Sequence, residues 1–150
     1  MKSYQSFILL IAVSFATGCN APTSDAEEKA GIMLDEARVL LANQNYAAAR
    51  DTILSLRSQY PTALAARRAA ILTLDSVELM ETRDSVERYE ESLNAARESF
   101  KTMLPRENGK TNEAYYDQQR TVYQMEQHFD ELCAKVKFFL RKIDIDKEEK

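Results

Sequence analysis

The stretch "NQNYAAARDTILSLRSQYP", residues 43–61, decides how the chain is read. Tyr46, Ala49, Ile53, Leu56 and Tyr60 recur every three or four positions, the spacing of a single helix face. Pro61 ends that helix, because the helical region is disfavoured at the residue before proline. Asn43-Gln44-Asn45 ends the helix before it, since short polar side chains compete for backbone hydrogen bonds. That earlier segment carries its own stripe, Ala26, Ala30, Met33, Ala37, Leu40 and Leu41. Ser24 with Glu27 three residues on reads as a capping box that opens it. Two helices joined by three residues fold back on each other, so residues 25–61 are expected to form a helical hairpin.

Working outward, a third helix is expected from near Thr62 with no breaker before Pro105, a run of about 43 residues or roughly 64 Å. Leu72, Leu79, Val86, Leu93 and Phe100 repeat every seven residues along it. The companions three further on are Asp75, Thr82, Tyr89, Ala96 and Met103, apolar only towards the end. "PRENGKTN", residues 105–112, carries the proline and glycine signals of a reversal. Beyond it runs a cleaner ladder of Tyr115, Val122, Phe129, Val136 and Ile143, interleaved with Met125, Leu132 and Phe139 and with one polar member, Gln118. Two such ladders on either side of a short loop pair antiparallel, so residues 62–143 are expected to form a long antiparallel coiled-coil hairpin. The register brings Phe100 near Tyr115 and Gln118, Val86 near Phe129 and Leu132, and Leu72 near Ile143. Residues 144–150 read as a charged, frayed tail.

Composition agrees with an all-α fold. The chain has 150 residues, three glycines, three prolines and no tryptophan, and Ala, Leu, Glu, Arg and Gln are good helix formers. Its 20 basic residues against 24 acidic ones exclude a general nucleic-acid binder, which would show a basic patch.

The amino-terminal end raises a separate question. Lys2 precedes an unbroken apolar run, Phe7 to Phe15, too short to span a bilayer but matched to the core of a secretory signal peptide. Ala16-Thr17-Gly18-Cys19 follows it, and this tetrad resembles the box of bacterial lipoproteins, with alanine in place of the usual leading leucine. The resemblance implies cleavage between Gly18 and Cys19 and transfer of a diacylglyceryl group to the Cys19 sulfur, with further acylation by fatty acids such as palmitate. Residues 1–18 would then be lost, and residues 19–24 would be the lipidated cysteine and a short tether. Each buried methylene contributes about 0.8 kcal/mol, so two or more acyl chains anchor a protein stably. Asn20, where aspartate would signal retention in the inner membrane, makes the outer membrane the expected site, with the periplasmic or surface leaflet left open.

The hairpin carries a second resemblance. Ala49, Ile53 and Pro61, preceded by Tyr46 and by Met33, Ala37 and Leu40, are similar to one tetratricopeptide repeat. Gln44 departs from it, because glycine is usual at that turn. The pattern does not recur 34 residues later, where Met80, Arg83 and Glu87 stand.

Residues that might carry chemistry are few. With Cys19 lipidated, Cys133 is left alone and reads as a small hydrophobe, so neither a disulfide nor a cysteine zinc site is expected. His128 is the single histidine and reads as a solvated flank of the seam. No catalytic residue, cofactor or metal is expected. Arg67 and Arg68 are candidate contacts to an anionic partner, against the plainer reading of ordinary surface. Tyr116 and Tyr123 lie off the ladder near the loop and are candidate partner contacts, against packing on flanking side chains. The expected function is a non-enzymatic interaction or scaffolding module of the cell envelope, binding the membrane through its lipid and another envelope protein or itself. A ligand site between hairpin and arm, or a passive spacer, is the alternative.

Overall fold

In the computed structural model, which describes residues 21–107 and 110–148, the turn after the first helix is made by Gln44 at a positive φ of 59°. The position where the repeat pattern wants glycine is thus the one whose backbone enters the left-handed region, where a side chain costs roughly 1–2 kcal/mol. Helix α1 (Ala21–Ala42) leads into this turn and α2 (Tyr46–Gln59) leaves it, with the Asn45 side chain accepting from the Ala48 N–H at 3.4 Å.

The start of α1 corrects the sequence reading. The helix begins at Ala21, with Pro22 in the first turn where a missing N–H does no harm, so Ser24 is inside the helix and most of the expected tether is helical. Glu27 is therefore released from capping its own helix. Its Oε1 instead accepts from the backbone N–H of Ala66 at 2.5 Å, across to the third helix. That helix, α3 (Leu64–Lys101), starts after Ala63, which has no side chain able to cap it. A carboxylate on orphan N–H groups at a helix start contributes about 1 kcal/mol.

α3 starts two residues later and stops three residues earlier than expected, ending at Lys101. The reversal is more ordered than a loop, because β1 (Arg106–Glu107) pairs antiparallel with β2 (Lys110–Thr111). α4 (Glu113–Glu148) then returns along α3. The expected frayed tail is helical as far as Glu148, and Asp146 is tied to Lys142 four residues earlier at 3.3 Å.

α3 is the central element. Its first half packs on one face against α1 and α2, through Ala66, Ala70 and Val77, and on the opposite face against α4. Six core residues are alanines (Ala30, Ala37, Ala49, Ala63, Ala66 and Ala70), so the backbones approach closely around Leu34, Ile53, Leu56 and Val77. Leu34 was not foreseen in the stripe of α1, yet it is among the buried residues. Ile71, next to Leu72 of the ladder, is 38% exposed.

The antiparallel register holds along the length of α3 and α4. Phe100 and Tyr115 stack with ring centroids 4.9 Å apart, and the Gln118 amide donates to the Ala96 carbonyl at 3.4 Å. Tyr89 meets His128 edge-on at 4.8 Å, and Lys142 pairs with Asp75 near the other end. Every member of both ladders is buried or half-buried.

Candidate interaction surface

Two polar clusters tie the helices to one another. The larger joins α2 to α3. Arg50 donates from Nε to Glu78 at 2.8 Å and from Nη2 to Glu81, while the Tyr46 hydroxyl donates to Asp84 at 2.6 Å. That hydrogen bond, with burial and the Asp84 charge, pushes the Tyr46 phenol up to about 12. Arg50 engages Glu78 and Glu81 and the Tyr46 hydroxyl engages Asp84, so the cluster fastens the hairpin to α3.

The second cluster lies in the α3–α4 seam. Asp75 is only 5% exposed, and Lys142 bridges it to Asp146. Burial holds the Asp75 carboxyl above its ordinary range, reinforced by the neighbouring Asp146 and opposed by the Lys142 ammonium. Lys142 is itself shifted up, chiefly by its hydrogen bond to Asp75. The two directions agree physically: the more exposed ammonium gains from two carboxylates, whereas the sunken carboxylate pays the larger desolvation cost.

The candidate residues named from the sequence fall in different places. Arg67 is half-buried and its Nη1 donates to the Pro61 carbonyl at 2.6 Å, which closes the α2–α3 turn. Arg68 is exposed on α3. Tyr116 and Tyr123, seven residues apart on one face of α4, are 44% and 61% exposed, with Tyr116 edge-on to Tyr115 at 5.1 Å. His128 is exposed and stands 3.4 Å from Glu131. Cys133 is a half-buried free thiol. Gly18 and Cys19 lie outside the described residues, as does the leader before them.

Two grooves open beside α3. One, of about 430 Å³, runs along Leu64, Ala65, Arg68, Ala69 and Leu72. The other, about 270 Å³, lies between α1 and α3 at Arg38, Leu41, Ala69, Leu72, Thr73 and Ser76, the place a ligand site between hairpin and arm would occupy. Arg38 there is paired with Asp35 at 2.9 Å, and no described side chain leaves a buried polar atom without a partner. The Thr73 and Ser76 hydroxyls there donate to the Ala69 and Leu72 carbonyls of their own helix.

No family model, curated protein or solved structure matches the chain. Among the described residues, no helix is long and apolar enough to cross a membrane and no group of three metal-ligating side chains converges. The first groove was not foreseen from the sequence. Its signal was present, since Ala65 and Arg68 continue the seven-residue phase of Leu72 and Asp75 backwards, but a small residue and a charged one made that heptad look like plain helix surface.

Proposed function

We propose that the chain is a lipid-anchored protein of the bacterial envelope, fixed at the outer membrane through Cys19, that works by binding another protein through its helix faces rather than by catalysis. The observation that carries the binding half of this reading is the pair of exposed tyrosines, Tyr116 and Tyr123, aligned on the outer face of α4. Exposed aromatics with an apolar body and a polar tip are enriched where proteins meet. The anchor half rests on the apolar run Phe7–Phe15 followed by Ala16-Thr17-Gly18-Cys19.

The finer description of the fold belongs with this reading. The α1–α2 hairpin is a single tetratricopeptide-like unit, supported by the burial of Ala37, Ala49 and Ile53 and by the left-handed turn at Gln44. The α3–α4 pair is an antiparallel coiled coil, supported by its sustained seven-residue register. Because α1 starts at Ala21, no more than about 7 Å of extended chain separates Cys19 from a stiff helix. The anchor would then hold the hairpin close against the bilayer while the arm reaches away.

The test uses the full chain in its own host with a photo-crosslinking amino acid at Tyr123. A discrete protein adduct in the envelope fraction is expected, and Cys19→Ser is expected to release the chain from that fraction. A Cys19→Ser chain that still fractionates with membranes would defeat the anchor. Absence of any protein adduct would defeat the binding role.

A further inference from the structure

α4 is apolar on two opposite faces. Its inner ladder packs on α3, the one element it touches among those described, and α1 and α2 lie on the far side of α3. The outer face carries a second series. From Tyr116 to Ile145 it advances in steps of three or four residues, and every position on it is exposed. Its large members are Tyr116 and Tyr123 towards the loop and Phe138 and Ile145 towards the end of the helix, 44%, 61%, 58% and 46% exposed. On the other helix of the arm, no large apolar side chain is exposed between Met80 and Leu104 among the described residues. One apolar face per helix is enough to hold a two-helix arm together; α4 has a second, running for about 44 Å.

The two faces keep different periods. The inner ladder repeats every seven residues, whereas the outer series repeats every eleven, as Tyr116, Gln127 and Phe138 and as Tyr123, Ala134 and Ile145. Eleven residues make almost three whole turns, so the outer series runs nearly straight along the helix instead of winding round it. Charge alternates along the same line: Arg120, then the adjacent Asp130 and Glu131, then Arg141. Arg120 stands 3.5 Å from Asp117 and Glu131 stands 3.4 Å from His128, exposed contacts that cost little to give up. A second copy does not complement this order. Laid parallel, it sets every charge against its own kind. Laid antiparallel about the middle of the series, it sets Arg120 level with Arg141 and the two acid pairs against each other.

We infer that the outer face of α4 receives one helix of a different protein, laid along it from Tyr116 to Ile145. That helix presents apolar side chains at steps of three and four, a Lys or Arg opposite Asp130 and Glu131, and an Asp or Glu opposite Arg120 and Arg141. The assignment rests on the protein-binding reading above. It adds the partner's chemistry and the second half of the contact surface, Phe138 and Ile145.

The test places the photo-crosslinker at Phe138 in the full chain in its own host, with Ala95, exposed on α3, as control and Tyr123 as reference. The expected result is an adduct to one and the same protein from positions 123 and 138 and none from 95. The two crosslinked sites should fall on a single helical segment of that protein, with a Lys or Arg between them. Reversing the middle of the face with Asp130→Lys and Glu131→Lys should lower both yields at least tenfold, and a partner carrying Glu at the mapped base should restore them. An adduct to a second copy of the chain, or to lipid, overturns the assignment. So do a segment without the base, yields that survive the reversal, or equal yields from 138 and 95. Adducts from Tyr123 with none from Phe138 sink the full-length helix and leave the protein-binding reading standing; none from either sinks both.

Discussion

Where α1 and α2 flank α3, Ile53 and Leu56 are sealed completely from solvent; in the arm beyond Ser85, Val86, Tyr89, Phe129 and Leu132 remain half open, and only Leu93 and Val122 are buried to a similar degree. Both regions are made of the same α3, so helix propensity does not account for the difference. The number of neighbours does. Three helices enclose the line along which they touch, whereas two leave both flanks of their seam in water. The wide end can therefore define itself by packing small residues, with alanines letting the backbones close around a few large ones. The arm has too little enclosed surface for that and marks its register with specific pairs instead: Phe100 on Tyr115, Gln118 on Ala96, and Arg97 on Glu126 at 2.8 Å.

The largest expected effect breaks or upholds this contrast directly. Ile53→Ala removes three carbons from a site that cannot collapse, and large-to-small changes of this kind cost about 3–4 kcal/mol. Leu132→Ala removes as much from the arm's half-open seam, where water already reaches part of the side chain, and about 1 kcal/mol is expected. The urea midpoints of the two variants measure the ratio, with the slope of unfolding kept as a check that both remain two-state. Equal losses would mean that the arm is as enclosed as the wide end.

A smaller effect probes the junction where the two styles meet. Lys142→Met leaves Asp75 buried with no cation, at a cost of about 3 kcal/mol. Replacing both residues with leucine should come out within about 1 kcal/mol of the native chain or above it, since apolar residues of similar size often outdo a buried pair. The pH dependence carries the sign. Lys142 titrates above the ordinary lysine value, so its contribution is fully present below that value and is lost as pH rises through the shifted one. The double variant should lack that alkaline loss, and urea midpoints taken across the alkaline range would show whether it does.

The same contrast explains what could be read from residues alone. The arm was legible because a seven-residue repeat sustained over two long segments admits one antiparallel register, and the loop at Pro105 fixes where it starts. The helix ends were less legible, because the groups that cap them lie far away in sequence. Glu27 looks like a partner for Ser24 and is instead a partner for Ala66, a pairing with no local signature. Arg67 and Arg68 are adjacent and chemically identical on the page, and only the direction each faces separates a turn clasp from an open surface.

The smallest effect concerns a single backbone angle and turns on the contrast between a turn and an arm. Gln44 holds φ at 59°, a conformation that an L side chain adopts at a cost and glycine adopts freely. Gln44→Gly should therefore raise stability, by about 0.5 kcal/mol after the greater freedom of glycine in the unfolded chain is subtracted. At Glu87, exposed within the regular helix of the arm, the same change to glycine should lower it by about 1 kcal/mol, because there the backbone gains nothing from the lost side chain. Thermal unfolding of the two variants beside the native chain reads both signs, as shifts of a few degrees in opposite directions. If Gln44→Gly also lowers the midpoint, the Gln44 side chain contributes more to the α1–α2 turn than its backbone angle costs, and the hairpin does not need a glycine at the place where its resemblance to a repeat fails.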